Sequence, residues 1–255
     1  DVHGKNHHLA GSFSDHVLDF ELMLPDGAIV TCSAVTNTDL FRATCGGMGL
    51  TGVILTARIR LNAISSSMID QVTIKTENLS DIFNAFEQYQ GVTYSVAWID
   101  CLSAGKNLGR CLLMTGEHAA GKNLEYESRT RVSVPFDFPE FTLNNWIVKT
   151  FNALYYAKAP RGISHQTVSL EQFFYPLDAI GQWNRIYGKK CFTQYQFALP
   201  LKESLRGLDR ILARIAASGK GSFLAVLKRF GPGNANWLSF PMEGYTLAID
   251  FKMEP

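Results

Sequence analysis

The clearest periodicity in the chain lies toward its C-terminal end. In LKESLRGLDRILARIAASG, Leu205, Leu208, Ile211, Leu212 and Ile215 recur at helical spacing. Lys202, Arg206, Arg210 and Arg214 take the opposite face, so the stretch predicts an amphipathic helix. NLSDIFNAFEQYQG predicts a second, capped near Ser80 and closed by Gly91. Elsewhere the apolar residues alternate. HVLDFELM and AIVTCSAV are joined by Pro25-Asp26-Gly27, whose turn chemistry predicts a β-hairpin. TNTDLFRATC predicts a short helix behind Asn37 or Thr38, ended by the glycines that follow. LTGVILTARIRLNAI is apolar and β-branched, which predicts a strand buried on at least one side.

The second part of the chain reads as strand (IDQVTIKTE), helix, then two strands (YSVAWIDCLS and GRCLLMTGEHA) around a Gly-Lys-Asn turn. Residues 119–165 carry Pro135, Pro139 and Pro160 and read as a long excursion with one helix near 143–156. SLEQFFYPLDAIGQWNRIYG predicts a strand and then a turn or short helix. CFTQYQFALP, FLAVLKRFG and YTLAIDFKM predict strands. This order implies an α+β architecture, a mainly antiparallel sheet with helices on one face. The small, polar NAISSSM marks a domain boundary, giving 1–62 and 63–255.

The 255 residues carry 24 basic and 23 acidic side chains, a formal net charge of +1. No domain-wide footprint for nucleic acid follows from that balance. The apolar runs are too short and interrupted for a membrane-spanning helix. Five cysteines without a C-x-x-C pair argue against a disulfide framework or a zinc ribbon and fit a reducing compartment. Neither end has the composition of a frayed tail, so the sequence reads as a fragment of a longer protein.

DVHGKNHHLAGSF packs three histidines, a lysine and an asparagine around small residues. His3 and His7 would share a face only on a helix, which Gly4 and Asn6 disfavour, so no metal is expected. Gly4-Lys5-Asn6 could hold an anion, but the stretch is not a P-loop. Two readings stay open on local chemistry: a polar turn feeding the hairpin, or a loop lying flat against a planar polar ligand. Gly4, Ala10 and Gly11 would permit the close approach the second needs.

DVHGKNHHLAGSFSDHV, LPDG and LFRATCGGMGLTGVILTARI, taken together, resemble the isoalloxazine side of the PCMH-type FAD domain in the vanillyl-alcohol-oxidase superfamily. SVAWID, LGR, QFFYPLD, WNRIYG, QYQFALP, SFLAVLKRFGPGN and LSFP extend the resemblance in order along essentially the whole chain. It implies the second part of an FAD-binding domain over 1–62 and a substrate domain over 63–255 whose C-terminal end is missing. It further implies a non-covalent FAD lined by Asp1, Val2, His3, Gly4 and Ile54. The matching pocket positions for a phosphorylated or lipid-linked sugar are Trp98, Gln194, Gln196, Lys228 and Thr246, with His3 and Lys228 as the catalytic candidates. Each has a plainer reading: a core tryptophan, a solvated strand edge, a solvated lysine, a hydrogen-bonded structural histidine. The implied reaction passes hydride from a secondary alcohol of a pentose to flavin N5, as the first half of a C2 epimerisation. A quinone or oxygen would take the electrons, and a short-chain reductase would be the partner enzyme. An aldonolactone oxidase or an inert ligand-binding fragment are the alternatives. Thr246 and Ala248 stand where the pentose-oxidising branch has Asn and Cys, a departure at the pocket mouth. The placement implied is cytoplasmic or peripherally membrane-associated, with the basic faces at Lys202–Arg214 and at Lys228 and Arg229 as candidate headgroup contacts.

Overall fold

A computed structural model describes residues 1–126 and 132–253; residues 127–131 and 254–255 of the expected substrate domain lie outside the described residues. The chain divides into two units: Asp1–Ala63 with Arg229–Gly244, and Ile64–Lys228 with Tyr245–Pro255. Segment 229–244 thus belongs with the first unit, which one linear cut near residue 62 does not express.

In the first unit, an isolated bridge pairs His3 with Ser12 around the one-turn helix α1 (His7–Ala10). Strands β1 (Val17–Met23) and β2 (Ile29–Ser33) form the hairpin, followed by helix α2 (Thr38–Thr44) and strand β3 (Val53–Ile59). The sheet order is β2-β1-β3, antiparallel throughout. The turn works as its chemistry requires: Gly27 takes φ 85° and the Ala28 N–H donates to Asp26 Oδ1 at 3.0 Å. Phe20 and Leu22 of β1, Cys32 of β2 and Phe41 of α2 form a small core, with Phe20 and Phe41 stacked at 5.3 Å. Strand β3 corrects the expectation of burial, because all seven of its residues are exposed. It is an edge strand paired only with β1, and the described residues cover neither of its faces. Its apolar composition alone could not reveal that.

The second unit opens with β4 (Met68–Thr76), α3 (Leu79–Gln88), β5 (Tyr94–Ile99) and β6 (Cys111–His118). Strand β7 (Val132–Ser133), helix α4 (Asn145–Lys158), strand β8 (Ile163–Ser169), helix α5 (Leu170–Phe174) and strand β9 (Ile180–Gly181) follow. Strand β10 (Phe192–Pro200), helix α6 (Leu201–Ser218), strand β11 (Ala225–Phe230) and strand β12 (Gly244–Lys252) complete it. Seven strands run in the order β10-β12-β11-β5-β6-β4-β8; β7 and β9 form a separate parallel pair. Leu79, Ile82 and Phe86 of α3 and Leu208 and Leu212 of α6 pack on one sheet face, against Ala97, Ile99, Leu113, Leu227, Leu247 and Ile249. Burying a leucine or isoleucine side chain stabilises by about 1.5–3 kcal/mol, so this layer fixes which sheet face α3 and α6 cover; Phe173 of α5 packs with Ile69 and Val168 in a separate cluster.

Three local expectations are corrected. The cap of α3 is Asn78, whose Oδ1 accepts the Asp81 N–H at 3.0 Å, and the helix stops at Gln88, before Gly91. The end of the expected irregular excursion, residues 163–165, opens β8, a strand running on to Ser169 whose polar His165, Gln166 and Thr167 are tolerated at a sheet edge. LEQFF is helical (α5) because the Ser169 hydroxyl accepts the Gln172 N–H and starts a turn there.

Candidate functional site

Alternation along the strands sorts the site residues of the second unit. Tyr245, Leu247 and Ile249 of β12 face the helices, so Thr246, Ala248 and Asp250 face away. Phe197 and Leu199 of β10 pack toward the helices, leaving Gln194 and Gln196 on the opposite face. Leu227 faces the core, so Val226 and Lys228 do not; Ala97 and Ile99 do the same for Trp98, which lies opposite Val226 in register. Alternation therefore brings Gln194, Gln196, Thr246, Lys228 and Trp98 onto one face of four consecutive strands, opposite α3 and α6, with Tyr155 of α4 against the Trp98 end. At about 4.8 Å between strands the row spans roughly 14 Å, the scale of a sugar with a linked phosphate.

The polar groups of this row are held by their neighbours. Gln194 Nε2 donates to Asp250 Oδ1 at 2.8 Å, and Gln196 Nε2 donates to Thr246 Oγ1 at 3.0 Å. Thr246 Oγ1 donates onward to the Phe197 carbonyl at 2.8 Å. Each amide nitrogen has two hydrogens, so one donor is spent on orientation. Trp98 is 6% exposed; its indole N–H donates to the Phe223 carbonyl at 2.9 Å, and its ring meets Tyr155 edge-on at 4.8 Å. The indole offers this face a wall and no donor. Burial pushes the Lys228 ammonium down to about 8, so it remains mostly charged at neutral pH.

Asp250, Tyr187 and Ser222 belong to the same network and were not among the sequence candidates. Tyr187 OH donates to Asp250 Oδ2 at 3.3 Å and lies 3.4 Å from Ser222 Oγ. Burial raises the Asp250 carboxyl above its ordinary range, against the hydrogen bonds from Gln194 and Tyr187 that lower it. Burial likewise drives the Tyr187 phenol up, keeping it a neutral donor. The available signal was phase: Asp250 stands four residues after Thr246 on a strand and must share its face.

The candidates of the first unit gather in a different way. Asp1 Oδ2 accepts from Ser14 Oγ at 2.5 Å, from Asn234 Nδ2 at 2.7 Å, from Asn236 Nδ2 at 3.1 Å and from Ser239 Oγ at 3.3 Å. Asp1 thus ties the N-terminal segment to the returning 229–244 segment. His7 does the same. The Gly231 N–H donates to its Nδ1 at 3.0 Å, which leaves the proton of the neutral ring on Nε2, 3.3 Å from Ser12 Oγ. His3 lies edge-on to Phe230 at 4.7 Å and stacks with Phe240 at 6.1 Å. Gly4 is hemmed in by its own turn: a Cβ would meet Asn6 Oδ1 at 2.7 Å. Val2 is exposed beside this segment, and Ile54 is exposed on β3. The exposed Val2, the imidazole of His3 and a carboxylate oxygen already saturated by four donors suit an uncharged ring with a hydrogen-bonding rim, while Ile54 stands separately on β3. Among the described residues no cluster of three or more His, Cys, Asp or Glu could hold a metal, and no helix is long and apolar enough to cross a membrane.

No protein-family model matches the chain. Decaprenylphosphoryl-β-D-ribose oxidase of Mycolicibacterium smegmatis is 36% identical over 266 residues, covering all of this chain and 57% of that protein. An uncharacterised protein from the mprA 5′ region of Streptomyces coelicolor is 30% identical over 270 residues, covering 98% of this chain and 71% of that protein. The FAD-linked oxidoreductase malF of Malbranchea aurantiaca is 29% identical over 121 residues, 47% of this chain and 20% of its own. In fold, the chain is similar to the wild-type BBE-like 1 protein of Physcomitrella patens, with a TM-score of 0.57 at 15% identity, over 99% of this chain and 53% of that one. The chain spans a little over half the length of the mycobacterial protein and of the moss structure. On these similarities the chain belongs to the family of FAD-linked oxidoreductases that includes decaprenylphosphoryl-β-D-ribose oxidase.

Proposed function

We propose that this chain is part of an FAD-dependent oxidoreductase that oxidises a secondary alcohol of a phosphorylated, lipid-linked pentose as the first half of a C2 epimerisation. The observation that carries the reading is the row of Gln194, Gln196, Thr246, Lys228 and Trp98 on one sheet face. When bound, FAD would supply a two-electron acceptor for the alcohol carbon, with a quinone or oxygen as the final acceptor. Val2, His3, Gly4 and Ile54 are the groups that would hold it without a covalent link, and Asp1 would brace them. Gln194 and Gln196 hydrogen-bond sugar hydroxyls, while Trp98 walls the ring and excludes water. Lys228 neutralises the phosphate, a role suited to a desolvated cation. Lys228, charged at neutral pH, assists loss of the hydroxyl proton as a cation and not as its acceptor, and His3 is the other supporting group that the resemblance implies. The keto product passes to a separate short-chain reductase. The protein works in the cytoplasm or at a membrane surface, and nucleic acid has no place in this reading.

The test is to purify the full-length protein, record its flavin absorbance and offer it polyprenyl-phosphate ribose and an aldonolactone in parallel. A yellow protein that reduces its flavin with the first and releases FAD on denaturation supports the reading. Turnover of the lactone alone makes it a sugar-lactone oxidase. A colourless protein indifferent to added FAD defeats both.

A further inference from the structure

Helix α4 buries little of itself. Val148 and Asn152 are buried, and Asn152 Nδ2 donates to Asp100 Oδ1 at 2.9 Å and to the Ser222 carbonyl at 3.2 Å. Tyr155 meets Trp98 at 4.8 Å, Phe151 meets Phe223 edge-on at 5.6 Å and the Tyr156 hydroxyl donates to the Thr76 carbonyl at 3.0 Å, so these contacts seat one side of the helix. On the other side Trp146 is 83% exposed, Leu154 67%, and Ile147 and Phe151 45% each. At 100° per residue Ile147, Phe151 and Leu154 form one stripe with Trp146 beside it, and Lys158 continues that stripe at the C-terminal end. A helix of 14 residues is about 21 Å long, so the apolar stripe is far larger than a single stray side chain.

The C-terminal end of the stripe opens into a cleft of about 780 Å³ lined by Lys75, Glu77, Tyr156, Lys158 and Arg161 among others. Three cations face one carboxylate there. Lys75 Nζ donates to the Ala159 carbonyl at 2.9 Å and sits 4.3 Å above the Tyr156 ring. The Arg110 guanidinium lies 4.6 Å from the centre of the same ring, but its charge is matched by Asp100. Burial and the positive charges of Arg161 and Arg110 lower the Lys75 ammonium below its usual range, as expected where cations outnumber anions. Soluble helices do not normally pair a wide exposed aromatic and aliphatic stripe with a terminal cationic cleft; helices that lie in a lipid interface do.

We propose that the exposed face of α4 docks the protein on an anionic lipid surface, with Trp146, Ile147, Phe151 and Leu154 in the acyl boundary and Lys75, Lys158 and Arg161 holding headgroup phosphates. This names the surface for the peripheral placement proposed above and depends on that placement alone, not on the identity of the sugar. It differs from the basic face of α6 that the sequence singles out, because the apolar stripe of that helix packs Leu208 and Leu212 into the core.

The experiment uses the full-length protein with vesicles of phosphatidylcholine alone or mixed with phosphatidylglycerol. Co-sedimentation with the mixed vesicles, weakened by salt, is expected, together with a blue shift of tryptophan emission that Trp146→Phe abolishes. The double variant Ile147→Gln/Leu154→Gln, which spares Phe151 and its contact with Phe223, and the double variant Lys158→Gln/Arg161→Gln should each weaken binding by about tenfold or more. Both should keep the wild-type circular dichroism spectrum. Indifference to both vesicles, equal binding to neutral ones, or variants that bind like wild type overturn the proposal. So does a variant that only turns a dimer into a monomer, since α4 would then be covered by a second copy. Oxidation of a water-soluble sugar phosphate is measured without vesicles, so failure of docking and failure of the oxidase reading are told apart.

Discussion

Replacing Lys228 by methionine keeps the hydrophobic stem and removes only the ammonium. Burial holds that ammonium near 8 in the folded protein, against an ordinary value of 10.5. Below pH 8 both folded and unfolded chains carry the proton, and the folded state bears the whole cost of a desolvated cation. Between 8 and 10.5 the unfolded chain keeps a proton that the folded chain has lost. The contribution of this group to stability therefore rises with pH across that window and is flat on either side. Each pH unit is worth about 1.4 kcal/mol, so the gap corresponds to roughly 3 kcal/mol, reduced to about 2 by partial solvent contact. Lys228→Met should be more stable than wild type by about 2 kcal/mol near pH 7, or about 4–8 °C in Tm for a chain of this size. The advantage should vanish near pH 10.5. Urea unfolding of both proteins at the two pH values measures it. Equal midpoints at neutral pH, or an advantage undiminished at alkaline pH, would refute the desolvation argument. If Lys228 holds the substrate phosphate as proposed, the same titration predicts that KM for a phosphate-bearing sugar rises as pH passes 8, where Lys228 loses its charge, while Lys228→Met shows a high KM at every pH.

Asp100 is buried and accepts from Arg110 Nε at 2.9 Å and NH2 at 2.7 Å, from Asn152, and from the Leu102 N–H at 3.1 Å. Asp100→Ala strands all of these donors and should cost about 3–5 kcal/mol, read as the urea midpoint; a loss under 1 kcal/mol would show that the network is dispensable. His7→Ala orphans the buried Gly231 N–H and should cost about 1–3 kcal/mol, with the Gly231 amide exchanging faster with deuterium than in wild type. Gln196→Leu removes the donor to Thr246 and, in the proposed role, a sugar contact. KM should rise about tenfold with kcat little changed, and an equal fall in both kcat and kcat/KM would instead place Gln196 in transition-state stabilisation.

What the sequence can disclose here follows the physics of each element. FTQYQFALP fixes the face shared by Gln194 and Gln196 because strand alternation is a local property, and the partners on β12 then follow from the same rule. The amphipathic stripe of α6 is legible for the same reason. Strand β8 is not, because an edge strand with polar His165, Gln166 and Thr167 has no apolar period to show. The exposure of β3 is equally hidden, since composition reports what a strand could pack against and not what covers it. The motif DVHGKNHHLAGSF exposes a further limit. It announces polar density, yet the roles of its members are set by residues more than 220 positions away: Gly231 for His7, Asn234 and Asn236 for Asp1. The first carboxylate and the second histidine brace the segment, which frees Val2, His3 and Gly4 for the flavin role that the family implies. A bracing residue and a contacting one look alike in sequence, and only long-range hydrogen bonding separates them. Asp1→Asn divides the two roles by experiment. Weakening a hub of four donors should lower thermal stability and FAD affinity together, whereas a direct flavin contact would change the flavin spectrum with stability unmoved.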